Sequence, residues 1–326
     1  IAIGYIASAT ATDSIAIGRQ LTTTGTNAIG IGHGAEANNE NAIAIGRLAD
    51  AGYNHTISIG ANSAAGNLGS TVIGYSATSD VNNINGVAIG YDATANQIAS
   101  VAIGNNATSN SQFGTALGRD SNADSGSYAT ALGYSSEAAT YATAVGSNTD
   151  ATGANSTAVG YGSNASNNGT VALGNSAQAL NLQAISIGQN ASSGGSNNIA
   201  IGNAPTTTGV SSIAIGTSAN ASGNSSIGIG DLAGADADNT IHINASGVNT
   251  NQPQTAGHIV IETDDASLTY DGTWSLAGGA LSTDGLDVTG DVTFGDNDKA
   301  IFGAGSDLQI YHSGATSFIT ENGTGD

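Results

Sequence analysis

A tetrapeptide, Ile-Ala-Ile-Gly or a close variant, returns about every 14 residues and restricts the folds that this chain can adopt. One step has 16 residues, and steps of 15 and 13 flank Gly133; an eighteenth copy, Ile-His-Ile-Asn at 241–244, lacks the glycine. A fixed period of this kind is typical of a solenoid, in which each repeat forms one coil. The repeat glycines are Gly4, Gly18, Gly32, Gly46, Gly60, Gly74, Gly90, Gly104, Gly118, Gly133, Gly146, Gly160, Gly174, Gly188, Gly202, Gly216 and Gly230.

Each repeat contains two alternating segments. The residue before the glycine is Ile, Leu or Val, and the residue three before it is Ile, Val or Thr, which predicts a short strand with one buried face. The positions three and five residues after the glycine are mostly Ala or Ser, as at Ala107 and Ser109, and this alternation predicts a second strand. A single coil cannot bury its apolar pair, so only a stack of hydrogen-bonded parallel coils is stable. We therefore predict an all-β solenoid of about 18 fourteen-residue coils over residues 1–244.

The position between the two branched residues is almost always small. Pleating points it away from its branched neighbours, and a solvated face would normally accept larger polar side chains. We therefore predict that this column is a packed subunit face in a closed homo-oligomer, with composition bias as the alternative. In a competing geometry, the Ile and Val pairs face the partner subunits and the Ala column lines a very thin roll. The predicted interface residues are Ala16, Ala44, Ala88, Ala102, Ala116, Ala131, Ala144, Ala158, Ala172, Ala200 and Ala214.

Charge and composition exclude several classes of function. The chain has 25 acidic and four basic residues, a net charge of −21, so binding to nucleic acid or to an anionic membrane surface is not expected. There is no cysteine and no apolar run long enough to span a bilayer. The glycines belong to the repeat rather than to a nucleotide-binding loop, and the five histidines are scattered singly. We predict no catalytic residue, no cofactor and no metal site.

The residue directly after the repeat glycine is often aromatic or cationic. One interpretation is a stripe that contacts a glycan or a surface protein. The other, which we favour, is that these side chains cover coil edges or bridge subunits, because Arg and Tyr are ordinary interface residues. The residues in question are Tyr5, Arg19, Arg47, Tyr75, Tyr91, Arg119, Tyr134 and Tyr161.

Three runs carry a resemblance to a known family: Ser-Ile-Ala-Ile-Gly at 14–18 and 212–216, and Ser-Val-Ala-Ile-Gly at 100–104. They resemble the head repeats of trimeric autotransporter adhesins, the YadA-like left-handed parallel β-roll, and the match extends from residue 1 to about 244. The resemblance implies a left-handed roll and a homotrimer with three rolls side by side. The residues after the last coil match neither that family's neck signature nor a heptad stalk nor membrane-anchor strands.

The remaining residues have no 14-residue step. We predict a β-rich connector at 245–280 and the start of a C-terminal β segment at 281–326. Asp-Asn-Asp-Lys-Ala-Ile-Phe-Gly at 296–303 and Leu-Gln-Ile-Tyr-His-Ser-Gly at 308–314 resemble segments of tail-fibre proteins of marine bacteriophages. The chain opens inside a repeat and contains no Met, so we expect it to be part of a longer protein.

Together the two resemblances imply the shaft of a bacteriophage tail fibre, located in the virion, that presents a host-receptor-binding region. Its expected partners are itself as a homotrimer, other virion or surface-fibre proteins, and a host-cell surface glycan or protein. The alternative is the head of a trimeric adhesin on a bacterial cell surface. A polysaccharide-degrading tail spike is a remote alternative, because it needs paired carboxylates on a broad coil face and no pair recurs on the branched strand.

Overall fold

The computed structural model describes residues 1–80, 82–244, 259–262, 299–302, 308–313 and 316–321. The chain divides into two compact units, Ile1–Ala266 and Ser267–Asp326. All the regular secondary structure in the described residues is β-strand, which confirms the all-β prediction.

The first unit is a parallel β-solenoid of about 17 turns, as the 14-residue period predicts. In its first sheet each strand pairs in parallel with the equivalent strand of the next coil, so that Ala88 lies beside Ala102 and Ala102 beside Ala116. Its strands are β1 (Ala2–Ile3), β3 (Ile15–Ile17), β5 (Ile29–Ile31), β7 (Ile43–Ile45), β9 (Ile57–Ile59), β11 (Thr71–Ile73), β13 (Val87–Ile89), β15 (Val101–Ile103), β17 (Thr115–Leu117), β19 (Thr130–Leu132), β21 (Thr143–Val145), β23 (Thr157–Val159), β25 (Val171–Leu173), β27 (Ile185–Ile187), β29 (Ile199–Ile201), β31 (Ile213–Ile215), β33 (Ile227–Gly230), β35 (Ile241–Asn244) and β36 (Ile259–Glu262).

The second sheet stacks the shorter strand of each coil in the same parallel way. In this ladder Ala95 lies beside Ser109, and a bulge interrupts the register between Ser109 and Ser111. Its strands are β2 (Ala7–Ala9), β4 (Leu21–Thr23), β6 (Glu36–Ala37), β8 (Asp50–Ala51), β10 (Ala64–Ala65), β12 (Thr78–Ser79), β14 (Thr94–Ala95), β16 (Thr108–Gln112), β18 (Asn122–Ser127), β20 (Glu137–Ala138), β22 (Asp150–Ala151), β24 (Asn164–Ala165), β26 (Gln178–Ala179), β28 (Ser192–Ser193), β30 (Thr206–Thr207), β32 (Asn220–Ala221) and β34 (Gly234–Ala235).

The interior of the solenoid is filled by small side chains, and this overturns the predicted subunit face. Each coil sends four positions inward: two and four residues before the repeat glycine, and three and five after it, as at Ser100, Ala102, Ala107 and Ser109. The branched residues on either side of the Ala column point outward and are only partly covered. The predicted interface residues are therefore core residues with no exposed surface in a single chain: Ala16, Ala44, Ala88, Ala102, Ala116, Ala131, Ala144, Ala158, Ala172, Ala200 and Ala214.

The thinness of the roll explains why this column is small. Leu21, the largest fully buried side chain among the described residues, points inward from β4. Opposite it the Ala column contains Gly30, where a Cβ atom would come within 2.9 Å of Leu21 Cδ1 and 2.6 Å of Thr23 Oγ1. An inward leucine thus requires the loss of a methyl group across the roll, because a close-packed interior has no spare volume.

Several of the buried hydroxyl groups donate to carbonyl groups in the turns. Ser121, Ser136 and Ser163 donate to the carbonyl of the repeat glycine three residues earlier, at 2.9–3.1 Å. Ser156 and Ser226 make the equivalent bond to glycines in the second turn, both at 2.6 Å. A buried hydroxyl without a partner costs free energy, so these bonds explain why Ser alternates with Ala at inward positions near turns.

The repeat glycines form a ladder of their own in the first turn. At Gly104 φ is +143°, and a Cβ atom would lie 2.1 Å from the carbonyl oxygen of Gly118 in the next coil. Its N–H donates to the Ile89 carbonyl of the preceding coil at 2.8 Å. Only glycine combines this backbone conformation with this close approach.

The second unit contains an antiparallel sheet of β37 (Lys299–Phe302), β38 (Leu308–Ser313) and β39 (Thr316–Glu321). Tyr311 and Phe318 stack at a centroid distance of 5.0 Å, and Lys299 Nζ lies 4.7 Å from the Tyr311 ring centroid. In the first unit, β36 pairs in parallel with β35 and continues the first sheet beyond residue 244. The rest of the predicted connector at 245–280 and residues 296–298 lie outside the described residues.

Candidate functional site

The outer surface of the first sheet is mainly apolar, although Thr occupies one of its two columns in five coils, at Thr71, Thr115, Thr130, Thr143 and Thr157. The two branched residues of each coil point outward, and the parallel register aligns them in two columns, such as Val87–Val101 and Ile89–Ile103. Several of these side chains are well exposed, among them Ile73, Leu117, Val159 and Ile215. An aligned aliphatic face of this size is uncommon on a soluble monomer and is typical of an interaction surface.

The aromatic and cationic column predicted after each repeat glycine lies along the first turn of the solenoid. All eight predicted residues are exposed, and the structure brings some of them together. Tyr75 and Tyr91 stack at 5.3 Å, and the Arg119 guanidinium lies 5.2 Å from the centre of the Tyr134 ring. The remaining members are Tyr5, Arg19, Arg47 and Tyr161. Their predicted role as a receptor contact stays a prediction.

A second exposed row, which the sequence analysis missed, runs along the opposite turn. Phe113, Tyr128 and Tyr141 stack on one another at 5.3 and 5.5 Å. The equivalent positions in other coils hold residues such as Asn27 and Asn41. The signal for this row appears only when positions are counted back, because all three aromatic residues lie five residues before the next repeat glycine, whereas their forward spacing is eight, nine or ten.

A family model of the YadA head domain repeat matches residues 1–20, 24–49, 82–107, 109–136, 125–149, 138–163, 151–177 and 208–233. These overlapping matches cover about half of the chain, and all of them lie within the coils of the solenoid. The chain belongs to the YadA head-repeat family. No curated protein was found to match it.

The YadA head repeats between the matched segments keep the same geometry. Strands β9 and β11 pair in the 14-residue register, as do β27 and β29. The resemblance of residues 296–303 and 308–314 to tail fibres receives no support from the family match, which ends at residue 233.

Two pairs of carboxylates lie on the outer face of the second sheet, and these pairs were not predicted from the sequence. Glu36 is in register with Asp50, and Glu137 with Asp150. Partial burial raises the pKa of Glu137, and the negative charges of Asp150 and Asp124 raise it further. Partial burial likewise raises the pKa of Asp150. The sequence does carry a signal for these pairs. Acidic residues occur four residues after consecutive repeat glycines, which stacks like charges one coil apart.

These raised pKa values predict that mild acid stabilises the head repeats. A carboxyl group with a raised pKa in the folded state holds its proton more tightly than in the unfolded chain. The stability of the fold therefore rises as the pH falls from neutral towards the ordinary pKa values of Asp and Glu. We expect a higher Tm at about pH 5 than at pH 7 by calorimetry. Glu137→Gln should raise Tm at pH 7 and reduce this difference.

Glu40→Gln, on an exposed turn, is the control for that prediction and should leave the change of Tm with pH as in the parent. A Tm that falls steadily from pH 7 to pH 5 in the parent, or a Glu137→Gln variant with unaltered pH dependence, would contradict it.

Within the described ranges, no group of three or more His, Asp or Glu side chains is arranged to hold a metal ion. Nor does that part of the chain contain a helix long and apolar enough to cross a bilayer. His242, the one buried histidine among the described residues, replaces Ala in the last coil and accepts a hydrogen bond at Nδ1 from the Gly234 N–H at 3.1 Å.

Proposed function

We propose that this chain is the rigid head of a trimeric adhesin, displayed on a bacterial cell surface, with three solenoids side by side. The observation that carries this proposal is the outward Ile and Val face of the first sheet. In a closed trimer, the three apolar faces meet around a common axis and leave water together.

The roll itself explains why another copy is the partner of this face. Its interior contains mainly methyl and hydroxymethyl groups, with Leu21 and Val72 as exceptions, so most of the large aliphatic side chains in the described coils lie on the outside. A protein of this composition places its main hydrophobic contact between chains rather than within one chain. The apolar columns also run the full length of the stack, which suits a parallel partner with the same repeat.

The role we propose is structural and adhesive rather than catalytic. The described carboxylate pairs lie on an outer strand surface, whereas glycoside hydrolysis needs a site that encloses the scissile bond between two carboxyl groups. With the first sheets facing the axis, the second sheets remain available to a glycan or protein on another cell. The family match favours this adhesin over the tail-fibre interpretation.

The trimer can be tested by replacing two residues of the apolar face. We expect the parent to have the mass of three chains by light scattering, and Ile103→Arg with Ile187→Arg to have the mass of one, since buried charges without partners oppose association. The matched control places arginines at Thr94 and Gln178, on the outer face of the second sheet, and should remain trimeric. A parent with the mass of one chain would overturn the proposed assembly.

Adhesion is tested separately with beads that carry the purified parent or the double-arginine monomer. We expect the parent beads to bind a panel of immobilised extracellular-matrix proteins and glycans more strongly, because three copies act together. Equal, background-level retention of both kinds of bead across the panel would contradict the adhesive role.

A further inference from the structure

Two rows of exposed side chains lie on opposite edges of the same stretch of the solenoid, between Gly46 and Gly146. The second-edge stripe places one large apolar side chain in each of seven consecutive coils, with exposed fractions between 37% and 55%. Its members are Tyr53, Leu68, Ile84, Ile98, Phe113, Tyr128 and Tyr141. The first-edge stripe fills five of these seven coils with Arg or Tyr: Arg47, Tyr75, Tyr91, Arg119 and Tyr134.

Three members of the second-edge stripe adopt a backbone conformation that bulky residues usually avoid. Phe113, Tyr128 and Tyr141 have φ of +57°, +59° and +57°. Such angles are uncommon outside glycine and Asn, and for a bulky side chain they are outliers. The equivalent turn contains Asn41 and Asn155 in other coils. Three aromatic residues in succession therefore accept an unfavourable conformation while about half of each side chain remains exposed.

The concentration of both stripes in one block of coils has no explanation within one chain. In each coil the first-turn and second-turn residues are separated by the two sheets and cannot contact each other. Within the block, only Ala61 and Asn105 interrupt the first-edge stripe. Outside it, large residues are scattered and lack a large counterpart in the same coil: Tyr5, Arg19 and Tyr161 on the first edge, and Leu182 and Val210 on the second.

We infer that the two stripes form a contact between neighbouring subunits, in which the first edge of one chain packs against the second edge of the next. This inference rests on the proposed trimer. Around a three-fold axis the interface is heterologous, so the first edge of each solenoid necessarily lies nearest the second edge of its neighbour. Parallel chains place equivalent coils at the same height, which accounts for the concentration of both stripes in one block of coils.

The chemistry of the two stripes is complementary. Arg119 lies over Tyr134 and keeps most of its side chain exposed, so its guanidinium can also meet an aromatic ring of the neighbour. In the neighbouring chain, the equivalent coil carries Tyr128 on its second edge. In the same way, Tyr91 of one chain would lie beside Ile98 of the next. Aromatic and arginine side chains are enriched in subunit contacts because they bury a large area and retain a polar group for the rim.

The apolar face of the first sheet and these two stripes would form one continuous interface. The face supplies association along the whole solenoid with little preference for height, because neighbouring coils present pairs of similar shape, with Ile or Val in most coils and Thr as one member in five. The stripes differ from coil to coil and would therefore set the axial register of the three chains. A shift by one coil would leave large residues unmatched at the ends of the block, with Tyr134 opposite Asn155 or Arg47 opposite Asn41.

Engineered cysteines test the contact directly, because the natural chain contains none. The variant Tyr91→Cys with Ile98→Cys places one thiol on each edge of the same coil. With a short thiol-reactive crosslinker, we expect a three-chain band on denaturing gels. Tyr91→Cys alone and Ile98→Cys alone should remain single chains. An off-register control, Tyr91→Cys with Val210→Cys, uses an exposed second-edge residue in a distant coil and should not crosslink.

The outcomes separate this inference from the trimer on which it rests. A trimer by light scattering together with the three-chain band supports the contact. A trimer whose Tyr91 and Ile98 cysteines give no more crosslinking than the off-register control overturns the contact and leaves the trimer standing. A single-chain mass for the parent overturns both.

Discussion

Replacing Ala102 with arginine should break the stack of coils within a single chain. Ala102 has no exposed surface and lies in register between Ala88 and Ala116 in the core of the roll. A guanidinium there is buried without a partner and exceeds the available volume, at a cost of about 5 kcal/mol or more. We expect little soluble protein, and proteases should rapidly cleave the soluble fraction within residues 90–118.

Asn105→Arg is the matched control for that substitution. Asn105 is exposed, three residues away, in the column that already holds Arg19, Arg47 and Arg119. This variant should be as soluble and protease-resistant as the parent. A folded, protease-resistant Ala102→Arg chain would mean that the Ala column does not lie inside the roll.

The glycine ladder should also tolerate substitution poorly. Gly104→Ala places a methyl group 2.1 Å from the Gly118 carbonyl oxygen and imposes a φ that alanine rarely adopts. Neither can relax without separating two coils, so we expect Tm to fall sharply, with a destabilisation of about 3–5 kcal/mol in urea unfolding.

Gly162→Ala provides a control with the same chemical change. Gly162 has φ of +62°, its added Cβ would meet nothing closer than 3.7 Å, and Ala204 occupies the equivalent place in another coil. We expect a cost of about 1 kcal/mol, that of a left-handed alanine. Equal losses from both glycines would show that the close approach along the ladder is not what selects glycine.

The period, strand positions and parallel pairing could be predicted from the sequence because spacing alone determines which residues align between coils. Ala88, Ala102 and Ala116 recur at the period and pair accordingly. Which face is inside could not be decided by alternation, because a strand with Ile on one side and Ala on the other is consistent with either orientation. The width of the roll decides it. Leu21 fits only opposite Gly30, so two facing rows of Ile would not fit.

The surface was predicted less completely than the fold. The first-edge residues are found at one fixed distance from the repeat glycine, so Tyr91 and Arg119 fall in a column that can be read directly. Phe113, Tyr128 and Tyr141 share one fixed distance only when counted back, five residues before the next repeat glycine, because the 15- and 13-residue steps vary the forward count. The acidic pair Glu137 and Asp150 becomes visible only when the second strand is aligned as carefully as the first.

The nearly uniform interior makes it easy for such a solenoid to change length in evolution. Since most coils present the same small side chains to their neighbours, a coil can be duplicated or deleted without repacking a core. Only the outside distinguishes one coil from another. Gains and losses of coils should therefore be tolerated most readily outside the block between Gly46 and Gly146, because within that block the order of coils carries positional information.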